Sequence, residues 1–145
     1  MIRKMRCALV LLLVVVAVHV HGQVGCTFAI KGDSVSNEVL DKDGYLENAR
    51  LAVVNTSGKP VYLAWETMAN TFPAGWDCSM CQHGKCQIGI PSGSVFKKLD
   101  AGQEGFIAIH VLPGGISGAG SVQFRIFDKE QPDCSRTLTF YVKVR

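Results

Sequence analysis

Past residue 22 this sequence has no apolar run long enough to cross a bilayer, which takes about 20 consecutive apolar residues in a helix. It also lacks an excess of either charge there. The chain holds 15 Lys plus Arg against 12 Asp plus Glu, and Arg3, Lys4 and Arg6 account for the whole imbalance. Residues 23–145 therefore carry twelve of each sign, and Lys97-Lys98 is their one adjacent basic pair. Nucleic acid or an anionic membrane surface needs a basic patch, so neither is expected as a partner. Histidine is scarce, with only His83 and His110 beyond residue 22. There is no Gly-x-Ser-x-Gly elbow, phosphate-binding loop or zinc-protease pattern. No catalytic residue and no cofactor are expected, and the chain does not read as an enzyme. Helical periodicity is missing too. Glu38 to Leu46 is the one weak helical candidate, and Asp43-Gly44 interrupts it.

What is there begins with a leader. Arg3, Lys4 and Arg6 precede an apolar run from Ala8 to Val18, and His19 to Gly22 turns more polar. That is the layout of a secretory signal peptide over residues 1–22, with a cut before Gln23. Residues 23–145 are then one domain by size. The mature chain is expected to be secreted, periplasmic or held at the cell envelope, where disulfides persist. Val24-Gly25-Cys26 also has some likeness to a lipoprotein box. On that alternative Cys26 carries the lipid, and the membrane becomes a partner by that route alone.

The rest of the chain reads as strands and turns. Val61, Leu63 and Trp65 fall on one face at period two within Pro60 to Glu66. Ile107, Ile109 and Val111 alternate with Phe106, Ala108 and His110, a pattern apolar enough on both faces for a central strand. Val122, Phe124 and Ile126 alternate with Gln123 and Arg125, and Leu138, Phe140 and Val142 with Thr139, Tyr141 and Lys143. Thr27 to Lys31, Asn48 to Asn55 and Ser94 to Leu99 complete seven short candidates separated by turn residues. Without helical crossovers to build a parallel sheet, these strands predict an all-β, antiparallel β-sandwich. Its expected core is Leu51 or Val53 with Leu63, Trp65, Val122, Phe124, Ile126, Leu138, Phe140 and Val142.

Asn55-Thr56-Ser57, Val61-Tyr62-Leu63-Ala64-Trp65-Glu66 and Pro73-Ala74-Gly75-Trp76 carry a resemblance. With Pro113-Gly114-Gly115 and Gly118-Ala119-Gly120-Ser121-Val122, they resemble an immunoglobulin-like sandwich domain of secreted and surface proteins of Bacteroidetes-type bacteria. The resemblance covers about Leu51 to Arg145. It implies the fold and a cysteine pair at Cys81 and Cys86. Cys78 and Cys134 are additions to that pattern, and the sorting segment that often follows the domain is absent. The family is tied to no single activity.

Cysteines decide the rest. Cys7 leaves with the leader, so Cys26, Cys78, Cys81, Cys86 and Cys134 remain, an odd number. Cys81 with Cys86 is the economical local closure. For the others, Cys78 with Cys134 is favoured, leaving Cys26 for lipid or as a free thiol. The rival pairing joins Cys26 to Cys134 and frees Cys78. Three of the five fall in Cys78-Ser79-Met80-Cys81-Gln82-His83-Gly84-Lys85-Cys86. In an oxidising compartment that density reads first as a disulfide-ordered loop. The soft donors Cys78, Cys81, His83 and Cys86 offer Cu(I) or Zn binding as an alternative, though no metal is favoured. Thiol cycling by Cys78-x-x-Cys81 is a third reading, weakened because no helix follows to lower the thiol pKa. The functional expectation is a non-enzymatic binding or structural domain. Its loop from Trp76 to Cys86 presents Trp76, Met80 and His83 to an unknown protein or glycan at the cell envelope.

Overall fold

The structure, a computed structural model, describes residues 25–83 and 85–145. The leader and its cleavage site lie outside the described residues. Among the described residues ten strands form in place of about seven: β1 (Phe28–Lys31), β2 (Val35–Leu40), β3 (Leu46–Asn55), β4 (Leu63–Asn70), β5 (Asp77–Gln82), β6 (Lys85–Ile88), β7 (Gly93–Val95), β8 (Glu104–Leu112), β9 (Gly118–Asp128) and β10 (Ser135–Val144). They make two five-stranded sheets, β1-β3-β8-β5-β6 and β2-β10-β9-β4-β7. Among the described residues there is no helix. The two sheets stack as an immunoglobulin-like β-sandwich.

The apolar alternations set which faces meet. Leu51, Val53, Leu63, Trp65, Val122, Phe124, Ile126, Leu138, Phe140 and Val142 are all buried between the sheets, as expected. Phe124 stands edge-on to Trp65 at 5.5 Å and to Phe140 at 6.0 Å, an arrangement that aromatic quadrupoles favour. β8, apolar on both faces, sits at the centre of its sheet. One close approach needs glycine: a Cβ on Gly120 would lie 2.6 Å from the Thr71 carbonyl oxygen and 2.9 Å from Phe72 Cα.

Three strands were not expected. β2 runs parallel to β10 at a sheet edge, with Val35 opposite Thr139 and Leu40 opposite Val144, so the sandwich is mixed rather than wholly antiparallel. The weak helical candidate Glu38 to Leu46 is instead the end of this strand and a turn closed by Gly44 N–H to the Asp41 carbonyl at 2.8 Å. β5 and β6 convert the expected cysteine loop into a hairpin.

Cys26 is bonded to Cys134 across 108 residues of sequence, with Cα atoms 5.2 Å apart. This corrects the favoured Cys78–Cys134 pairing. Cys26 and Thr27 sit beside the end of β3, where the Thr56 amide donates to the Thr27 carbonyl at 2.9 Å. Cys78 pairs with Val111, and Val111 with Leu46 at the start of β3. The length of a ten-residue strand, roughly 30 Å at 3.3 Å per residue, separates the two levels. A disulfide needs Cα atoms within about 7 Å. The Cys26 sulfur is thereby engaged, which leaves no thiol for the lipid alternative. Thr27 Oγ1 also donates to Asp128 Oδ2, so a hydrogen bond and a disulfide together hold the segment leading into β1 against the β9–β10 turn.

Candidate functional site

The β5–β6 hairpin follows from two-residue alternation around a two-residue connection. Along β5, Cys78, Met80 and Gln82 point towards the opposite sheet, and Asp77, Ser79 and Cys81 point out. The register sets Cys81 opposite Cys86 and Ser79 opposite Ile88, so Cys86 and Ile88 share the outer face. Cys81 and Cys86 are bonded, with Cα atoms 4.0 Å apart. Directly opposed residues come this near only at the close pairs of an antiparallel ladder. His83 follows β5, and its ring meets Phe106 edge-on at 6.1 Å.

Of the side chains expected to present this segment, Met80 is 1% exposed and Trp76 6%. The Trp76 indole packs on Phe72 at 5.6 Å and donates Nε1–H to the Ile116 carbonyl at 3.0 Å. Both residues are buried and offer nothing to a ligand. His83 is partly exposed. The inward Gln82 spans the sandwich. Its Oε1 accepts the indole N–H of buried Trp65, and its Nε2 donates to the Val95 carbonyl at 3.0 Å.

Cys78 is a free, half-buried thiol. Its Sγ faces inward while Cys81 faces outward, and Cys81 is already bonded to Cys86. The four soft donors therefore do not converge. Among the described residues no three His, Cys, Asp or Glu side chains are grouped to hold a metal ion. The same geometry separates Cys78 from Cys81 as an exchange pair. Burial, with Asp77 next to it, pushes the Cys78 thiol up to about 11. The folded chain thus holds this proton through the pH range in which an unfolded cysteine, near 9, loses it. The stability linked to this group is full below the unfolded value and declines as pH rises through the folded one. Alkylation of Cys78 in the native protein should reach half its maximal rate near pH 11, and near pH 9 in denaturant. Asp77→Asn should move the native midpoint down. A native midpoint at 9 would contradict the burial.

The outer surface of this sheet holds residues that the sequence did not single out. Ile88 is 93% exposed on β6, which has no strand on its far side among the described residues. Tyr45 and Leu112, both about half exposed, line the same shallow depression with Ser79 and His110. His110 lies opposite Ser79 on β8, its Nε2 3.4 Å from Cys81 Sγ. Arg50 lies over the Phe106 ring, 4.0 Å from its centroid. The sequence signal was His83-Gly84 flanked by Cys81-Gln82 and Lys85-Cys86. Taken as a two-residue hairpin connection, it sets the cysteines opposite each other and turns Ile88 outward.

No family model matches the chain, and no curated protein matches it by sequence. Solved structures do resemble it. The N-terminal domain of PorA superposes with a TM-score of 0.57 at 12% identity, over 83% of this chain and 98% of that one. A family 123 glycoside hydrolase from Clostridium perfringens gives 0.50 at 13% identity, over 77% of this chain and 23% of that one. At such identities the likeness is one of fold. Part of an enzyme stands beside the N-terminal domain of PorA among these matches, so the fold assigns no activity.

Proposed function

We propose that the mature chain works outside the cytoplasm as a non-enzymatic domain that binds a protein. Its contact surface is the β6 side of the β1-β3-β8-β5-β6 sheet. The observation that carries this reading is Ile88, almost fully exposed on an edge strand beside Tyr45 and Leu112. A large apolar side chain held out by a stapled hairpin gains by burial in a partner, and the staple lowers the ordering cost of binding. Ile and Leu favour an apolar protein contact over a glycan, which stacks on aromatic faces. The leader and two disulfides support an extracytoplasmic site. Intact mass of the secreted protein should give a chain starting at Gln23 with four cysteines bonded.

The decisive variant is Ile88→Asp. Purified labelled wild-type domain should bind saturably to envelope fractions of cells that make it, and the binding sites should be sensitive to protease. Ile88→Asp should weaken that binding about tenfold or more with an unchanged melting temperature, because the side chain packs on nothing. Equal binding by the variant would overturn the assignment of the surface.

A further inference from the structure

The outward Cys81–Cys86 bond has a chemical neighbour that the buried one lacks. Cys86 is exposed on the edge strand, and Cys81 is half-covered with His110 Nε2 3.4 Å from its sulfur. The other ring nitrogen, His110 Nδ1, is buried with no hydrogen-bond partner. A proton on Nδ1 would be a buried donor without an acceptor, whereas a proton on Nε2 is directed at Cys81 Sγ. Three more features separate this bond from Cys26–Cys134. Cys134 is buried and Cys86 is not. The Cys81–Cys86 bond closes only a five-residue separation, against 108 for the other, so it draws less on loop-closure entropy. Beyond this bond, β6 is paired only with β5 among the described residues.

We propose that Cys81–Cys86 is a thiol-exchange site for dithiol reductants, with Cys86 the sulfur attacked and Cys81 the sulfur that leaves. A reductant thiolate forms a bond to Cys86 Sγ as the Cys81–Cys86 bond breaks. The bonding pair departs on Cys81 Sγ, and His110 Nε2–H donates a hydrogen bond to this thiolate as it develops. The reductant's second thiolate then attacks its own sulfur on Cys86 and releases the Cys86 thiolate. The dithiol is oxidised to its disulfide by two electrons, the protein disulfide is reduced by two, and the two protons lost by the dithiol end on Cys81 and Cys86. An exposed sulfur and a stabilised leaving thiolate are the two conditions that speed such exchange. The site goes beyond the binding surface proposed above and does not depend on it.

The test is reduction of the intact secreted protein by dithiothreitol at fixed pH, with quenching and alkylation mapped by peptide mass. Cys81–Cys86 should open about tenfold or more faster than Cys26–Cys134. His110→Phe should slow the first bond about tenfold, in keeping with loss of a hydrogen bond to a charged group, and leave the rate of the second unchanged. His110→Leu replaces it should the Phe variant misfold. With excess glutathione, the trapped mixed disulfide should lie on Cys86 with Cys81 free. Equal opening rates for the two bonds, wild-type rates in the His110 variants, or an adduct on Cys81 would each overturn the proposal.

Discussion

Replacing both Cys26 and Cys134 by Ser should lower the melting temperature by roughly 10–20 °C. The bond joins the segment leading into β1 to the residue before β10, closing a loop of 108 residues. In the chain-entropy account, a closure of that length removes about 5 kcal/mol of freedom from the unfolded chain, against about 2 kcal/mol for a five-residue closure. Native contacts add to the effect, because Cys134 is buried among core residues. Without the bond, β1 is held by four residue pairs with β3 and by the Thr27–Asp128 hydrogen bond. Calorimetry of the double variant against Cys81→Ser/Cys86→Ser ranks the two bonds. A smaller loss from the long closure than from the short one would show that the β1 segment is not anchored as described.

The second large effect is expected where Gln82 joins the sheets. Gln82→Leu leaves the Trp65 indole N–H without an acceptor inside the sandwich and takes a donor from the Val95 carbonyl. A buried polar group left unsatisfied costs about 1–3 kcal/mol. Trp65→Phe removes the indole N–H and strands only the Gln82 oxygen, at a cost in the same range plus the lost ring volume. The double variant should cost less than the two single ones together, by about 1–2 kcal/mol, because removing both partners leaves fewer orphans than removing one. Trp65→Ala should cost about 3–5 kcal/mol, since the indole fills the space against Phe124. Denaturant unfolding gives all four values. Strict additivity would show that the hydrogen bond across the sandwich contributes nothing.

The parts of the fold legible in the sequence share a cause. β8, β9 and β10 lie near the middle of their sheets, and their apolar residues repeat every second position because one face or both must be dry. β2 was illegible because nothing local makes it a strand. Val35, Asn37 and Val39 face solvent, and the strand exists because its backbone pairs with β10, about a hundred residues later. β5 was obscured by its composition. Met80 and Gln82 occupy its inward positions, and the glutamine is satisfied only by Trp65 and Val95, which the sequence does not place beside it. At the candidate site, the pairing of Cys81 with Cys86 was within reach of local spacing and resemblance. The inward turn of Trp76 and Met80 was not, because each is decided by which sheet lies beneath.

By itself, then, the sequence determined the class of fold and the greater part of the core. Alternation and turn chemistry are local properties of the chain and need no knowledge of distant residues. Only the tertiary structure decided which cysteine meets Cys134, that Cys78 is left alone on the inner face, and that Ile88 stands on an open edge with His110 against the Cys81 sulfur. Each of these is a distance between residues far apart in the chain, and such distances are set by sheet order and register, which many sequences of the same alternation would share in different arrangements.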